Sequence, residues 1–141
     1  TQIGIVIVPT LRNYLKDGKA CYMITVHTFD LEVVKMVQGF VGQYSHLNAF
    51  FSSDHTVDIV GRGSTKDIAL LYLAKHLQLE MKNVAAVGDG LNDLAMVKCA
   101  GIALAPTNAM EGVKKASNFI CRRSNEESAV SEAIQYVLKN I

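Results

Sequence analysis

The stretch Val84-Ala85-Ala86-Val87-Gly88-Asp89-Gly90-Leu91-Asn92-Asp93-Leu94-Ala95-Met96 decides how the rest of the chain is read. A short apolar run ends in a carboxylate between two glycines, and a second carboxylate follows four residues later. The run has the composition of a strand buried on both faces, as strands of a parallel sheet are. Gly88 and Gly90 permit a sharp turn, after which Asn92-Asp93 opens a helix. Asp89 then stands at the carboxyl end of a parallel strand, where open α/β sheets keep their ligands. Two carboxylates converging there suit a hard, oxygen-liganded cation such as Mg²⁺. The competing reading is a polar loop in which Asp93 is a first-turn acid favoured by the helix dipole.

Downstream, the pattern continues with a helix over 91–99, a strand over 101–105, a helix over 109–116 and a short strand over 119–121. A closing helix over 126–140 follows, with Val130, Ala133, Ile134, Val137 and Leu138 expected inward. Upstream, Thr65 is placed to cap a helix with Leu70, Leu73, Ala74 and Leu77 on one face, feeding the strand over 83–87. This αβαβαβα alternation marks a parallel, doubly wound sheet.

Residues 1–60 have a different rhythm, β(α)βαββ. A strand over 3–8 ends at Pro9, a short helix follows over 10–16, and a second strand covers 21–27. Asp30 caps a helix carrying Val33, Val34, Val37, Phe40, Val41 and Tyr44 at helical spacing. Strands over 47–51 and 56–60 flank a hairpin turn at 52–55. Gly61-Arg62-Gly63-Ser64 breaks the pattern and is the expected hinge. The pattern alone therefore divides the chain at 61–64, with a β(α)βαββ unit before it and a parallel, doubly wound α/β unit after it.

The 141 residues are 50% hydrophobic and 19% charged, with a net charge of +1. That describes a globular chain with an apolar core. No basic block or aromatic-basic interleaving is present, which argues against nucleic acid as a partner; Arg122-Arg123 reads as a solvated loop. No apolar run approaches the roughly 20 residues of a membrane span. Cys21, Cys99 and Cys121 form no CxxC or zinc pattern and are expected to be buried free thiols in a reducing cytoplasm. His27, His46, His55 and His76 lack metal-ligand spacing, and Thr28 and Ser45 lack a nucleophile elbow.

Lys66 is the second residue of interest. A lysine in the first turn of a helix is at odds with the helix dipole. A bound anion reverses that penalty, because free backbone N–H groups and the ammonium converge on it. The alternative is a surface lysine paired with Asp67. Asn92 either donates to a phosphoryl oxygen or caps its helix, and Asn108 reads as the N-cap of the next one.

Lys66, Gly88-Asp89-Gly90-Leu91-Asn92-Asp93, Ala95-Met96, Ala100-Gly101-Ile102-Ala103-Leu104, Asn108-Ala109 and Val113-Lys114-Lys115-Ala116 together resemble the haloacid dehalogenase (HAD) superfamily. More narrowly, they resemble its Cof-type phosphatases, which carry an inserted α/β (C2) cap. The separation of Lys66 from Asp89 matches the spacing of that family's third and fourth motifs, and residues 1–60 resemble the back half of such a cap. The resemblance implies that 1–61 is part of a small α/β cap and 62–141 the C-terminal part of a Rossmann-like α/β core. The resemblance implies a Mg²⁺-dependent phosphatase of a small phosphorylated metabolite, a sugar phosphate being one candidate, working through an aspartyl-phosphate. By motif, Lys66 neutralises the phosphoryl group, Asp89 holds Mg²⁺, and Asn92 contacts phosphate. Asp93 supports the metal or orients Lys66.

The sequence departs from that family in one serious respect: it contains no Asp-x-Asp, so the DxDGT motif that supplies nucleophile and general acid is missing. Residue 1 is therefore expected to lie within the cap of a longer parent. The chain alone is expected to be inactive, and to pair with the missing N-terminal half or with another copy. Ser128 stands where the family has Gly before its last helix. Two rival readings are a catalytically dead module that binds a phosphorylated ligand or a partner, and the phosphorylation domain of a P-type cation ATPase, which shares GDGxND.

Overall fold

Hydrophobic alternation in Ile102-Ala103-Leu104-Ala105 organises the second half of the molecule. In the computed structural model, which describes residues 20–53 and 55–140 together with residues 10 and 12, these residues form the middle strand of a parallel sheet. The expected strand over 3–8 lies outside the described residues, as does all but Thr10 and Arg12 of the helix expected over 10–16.

The first sheet is antiparallel, with strands β1 (Met23–His27), β2 (Leu47–Ser53) and β3 (Thr56–Gly61) in the order β1-β3-β2. Met23 pairs with Val60 and Thr25 with Asp58, while a register irregularity lies between Phe51 and Ser53. Helix α1 (Leu31–Val41) starts as expected: the Asp30 side chain accepts the Glu32 N–H. It packs on β2 and β3, and Val34, Val41 and Val57 are buried in this half. Phe40 and Tyr44 are exposed.

After the Gly61–Ser64 break, helix α2 (Lys66–His76) leads through a 3₁₀ turn (Met81–Asn83) into β4 (Ala85–Val87). A second 3₁₀ turn (Leu91–Asp93) opens α3 (Leu94–Cys99), followed by β5 (Ile102–Ala105), α4 (Glu111–Ala116) and β6 (Phe119–Ile120). A third 3₁₀ turn (Asn125–Glu127) precedes α5 (Ala129–Asn140). The strand order is β4-β5-β6, all parallel.

Successive strand residues point to opposite faces, and β5 uses this strictly. Ala103 and Ala105 pack with Val97 of α3 and Val113 of α4, whereas Leu104 packs with Cys121 and with Ala129 and Ala133 of α5. Helices therefore cover both faces, which is the expected doubly wound α/β core.

Several local expectations are corrected. Asn83 belongs to a 3₁₀ turn rather than to a strand, and Asn92 and Asp93 form a 3₁₀ turn before the α-helix proper. Thr65 occupies the N-cap position of α2, but its side chain makes no capping bond and its Oγ1 is buried without a partner among the described residues. On α2 only Ala74 is buried; Leu73 and Leu77 are exposed, as are Ile68, Leu71 and Tyr72. On α5 the inward residues are Ala129 and Ala133, with Tyr136 and Val137 partly buried, while Val130, Ile134 and Leu138 face outward. Helical spacing thus did not identify the buried face of either helix. Strand β4 is an open sheet edge among the described residues.

Candidate active site

Lys66 is the first residue of α2, so its position is set by where Gly61-Arg62-Gly63-Ser64 lets β3 end. Its Nζ pairs with Asp93 Oδ1. Asp93 Oδ2 accepts the backbone N–H groups of Asp89 at 3.0 Å and Gly90 at 3.2 Å. Asp93 is 5% exposed, the one charged side chain buried among the described residues. Burial alone pushes its carboxyl up, but the Lys66 hydrogen bond, the two amides and the Lys66 charge outweigh burial and hold it below the usual value. The ion pair also relieves Lys66 of its conflict with the helix dipole.

Asp89 stands just beyond β4, separated from it by Gly88. Its carbonyl accepts the Met110 N–H at 2.9 Å, and its Oδ2 accepts Asn125 Nδ2 at 3.1 Å. Close approach requires glycine at 88, whereas at 90 an added Cβ would only displace the end of the Asn92 side chain. A Cβ on Gly88 would lie 2.5 Å from Asp93 Cβ, and one on Gly90 would lie 2.7 Å from Asn92 Oδ1.

Lys66, Asp89, Asp93 and Asn125 line a cleft of about 370 Å³ at the carboxyl ends of the parallel strands. Asn92 opens on an adjoining cleft of about 430 Å³, which it shares with Lys66 and with Asn48, Asp58 and Arg62 from the antiparallel side. Lys66 is thus the residue common to both. Asn92 caps no helix: α3 begins after it, with Asp93 at the N-cap position. Asn108 is not an N-cap either, since Met110 occupies that position; instead it pairs with Asn125. Asn125 was not singled out by sequence reasoning, because an Asn in a Ser-Asn-Glu-Glu turn carries no local signal of a partner 36 residues away.

The donor set fits a hard cation at Asp89. Its Oδ1 has no hydrogen-bond partner among the described residues, whereas both Asp93 oxygens are committed to Lys66 and to backbone amides. Among the described residues no cluster of three or more His, Cys, Asp or Glu encloses a metal.

The model of the haloacid dehalogenase-like hydrolases matches residues 9–134, which include every residue of this cleft. The chain belongs to this family. Curated relatives of this HAD chain include the 5-amino-6-(5-phospho-D-ribitylamino)uracil phosphatase YwtE of Bacillus subtilis, 30% identical over 137 residues, covering 97% of the chain and 48% of that protein. The phosphoglycolate phosphatase of Methanobrevibacter smithii is 31% identical over 117 residues, 81% of the chain and 50% of that protein. Among solved structures, a haloacid dehalogenase-like hydrolase from B. subtilis superimposes with a TM-score of 0.84 at 26% identity, over 92% of the chain and 46% of that protein. This HAD chain spans about half the length of the curated relatives it matches. Among the described residues, no helix is long and apolar enough to cross a membrane.

Proposed function

We propose that the chain supplies the phosphate- and metal-holding wall of a Mg²⁺-dependent HAD phosphatase acting on a small phosphorylated metabolite. The observation that carries this reading is the convergence of Lys66, Asp93 and Asp89 at the carboxyl edge of the parallel sheet, in a chain belonging to this family. Its relatives include phosphatases of a ribityl-phosphate and of phosphoglycolate, both small phosphate monoesters.

In this reading Lys66 holds a phosphoryl oxygen and offsets its charge, and Asp93 fixes the direction of the ammonium. Asn92 reaches the same phosphate from the adjoining cleft. Asp89 holds Mg²⁺, which when bound supplies charge neutralisation to the transferring group. Fixed charges placed before the reaction are how phosphoryl transfer is mainly accelerated. The antiparallel sheet acts as part of a cap over the site, with the hinge at 61–64. The open β4 edge and the outward apolar faces of α2 and α5 accept either the half that carries the nucleophile or a second copy. The enzyme works in the cytoplasm, with its cysteines reduced.

The test is hydrolysis of p-nitrophenyl phosphate by the purified 141-residue chain with Mg²⁺, alongside inorganic phosphate binding by calorimetry. The expected result is phosphate binding that is lost in Lys66→Ala, with no turnover, because no Asp-x-Asp is present. Turnover abolished by Asp89→Ala would overturn the assignment of the nucleophile to another segment. The missing Asp-x-Asp also favours a second reading, a silent module that binds a phosphorylated ligand. A full reading frame lacking that motif would decide for it.

A further inference from the structure

We infer that Asn125 and Asn108 are positioning residues for Asp89, forming one hydrogen-bonded unit that fixes which carboxylate oxygen faces a bound divalent cation. The inference rests on the reading of Asp89 as the cation-holding residue. Asp89 follows a three-residue strand at an open sheet edge, so the strand itself does little to restrain its side chain. Its one side-chain hydrogen bond among the described residues comes from Asn125, which leaves Oδ1 free.

An asparagine amide is a useful restraint only if its orientation is fixed, since its oxygen and nitrogen exchange places by rotation. Here the orientation follows from a donor that cannot flip. The backbone N–H of Asn125 donates to Asn108 Oδ1 at 3.0 Å, which turns Asn108 Nδ2 toward Asn125 Oδ1 at 2.9 Å. With its oxygen occupied, Asn125 must present Nδ2 to Asp89 Oδ2 at 3.1 Å.

The unit is anchored to the core. Glu132 of α5 accepts the N–H groups of Arg122 and Arg123 at 3.0 to 3.2 Å, and Thr107 N–H donates to the Arg123 carbonyl at 3.0 Å. Ser124 and Glu127 form a capping box at the turn that carries Asn125. The loops after β5 and β6 are thereby tied together and to the turn after β4, where Met110 N–H meets the Asp89 carbonyl. Both asparagine side chains are exposed, so their bonds contribute little to stability. Their consequence is orientation, and loss of such outer partners lowers metal affinity by roughly 10- to 100-fold.

The experiment titrates Mn²⁺ into the 141-residue chain and follows the free aquo ion by electron paramagnetic resonance. Asn125→Ala, Asn108→Ala, the double variant and Asp89→Ala are compared, with thermal midpoints measured alongside. Expected is a roughly 10- to 100-fold weaker affinity for Asn125→Ala and a smaller loss for Asn108→Ala. The double variant should match Asn125→Ala, and the midpoints of the two single asparagine variants should stay close to wild type. Equal affinity of wild type and Asn125→Ala, with binding abolished by Asp89→Ala, sinks the positioning unit while leaving Asp89 in its role. Additive losses in the double variant sink the relay through Asn125. Affinity that falls only in step with the thermal midpoint makes the unit merely structural and overturns the inference. Binding indifferent to Asp89→Ala, or no binding by wild type at millimolar Mn²⁺, overturns the reading of Asp89 and the inference together.

Discussion

Lys66 and Asp93 stand 27 positions apart in sequence and meet as an ion pair, one partner half exposed and the other buried. The asymmetry has a purpose in the proposed site. The carboxylate is fixed by two backbone amides, so it cannot follow the lysine. The lysine is therefore held by something rigid, with part of its ammonium left toward the cleft. Each Asp93 oxygen thus already accepts a hydrogen bond, whereas Asp89 Oδ1 accepts none among the described residues.

The pair makes stability depend on pH in a defined direction. Asp93's carboxyl is held below its ordinary value of 3.8 when folded. A lowered folded value gives a contribution that is whole above the unfolded value and lost as pH falls through the folded one. Asp93→Asn should therefore lower stability by about 1–3 kcal/mol near neutral pH, the cost of disturbing a buried charged hydrogen bond. That difference should close below about pH 4. Urea midpoints across the acid range check this, and a deficit that is constant with pH would contradict it.

Gly88 and Gly112 should respond oppositely to alanine. At Gly88 the added methyl meets Asp93 Cβ at 2.5 Å and Val97 Cγ2 at 2.9 Å, both on buried residues with nowhere to move. A loss of about 1–3 kcal/mol is expected, typical of overpacking. Gly112 lies in α4, and its nearest contact would be an ordinary 3.8 Å to Leu91 Cδ2. Alanine there should gain up to about 1 kcal/mol from helix propensity. Thermal melts of the two variants give the comparison.

Ser128 adopts φ 67° and ψ 38°, the left-handed region, between the last 3₁₀ turn and α5. A β-carbon there costs roughly 1–2 kcal/mol, whereas glycine adds up to about 1 kcal/mol of unfolded-state entropy. Ser128→Gly should thus stabilise the fold by about 0.5–1 kcal/mol, raising the urea midpoint without changing the slope. A lowered midpoint would mean that the hydroxyl has a role the backbone does not reveal.

The cysteines should react in order of exposure. Cys21 is exposed, contrary to the sequence expectation, while Cys99 is half buried and Cys121 fully buried. Burial pushes both inner thiols up, with the Asp67 charge adding to it at Cys99 and Glu132 at Cys121. One equivalent of a disulfide reagent should be consumed quickly at Cys21, and Cys121 should be labelled only in denaturant. Fast labelling of Cys121 in the native state would show local opening of the Leu104–Ala129 core.

Much of this was written in local sequence. The apolar run before Gly88, the Gly-Asp-Gly turn and the alternation of strand and helix patterns after residue 65 reflect residues whose neighbours lie within a few positions. Period and turn chemistry report such neighbours directly. Lys66, Asp89 and Asp93 stood out for the same reason: each conflicts with, or exceeds, what its own element requires. Tertiary structure alone decided where the long-range partners went. It chose Asp93, a partner the family resemblance also offered, over Asp67 for Lys66, gave both Asp93 oxygens hydrogen bonds, and freed Asn108 from helix capping. It also brought Asn125 to Asp89 and turned Val130, Ile134 and Leu138 outward. A hydrogen bond across 36 residues depends on where three strand ends meet, and a stripe is buried only if another element covers it. Neither condition is encoded in the spacing of the residues themselves.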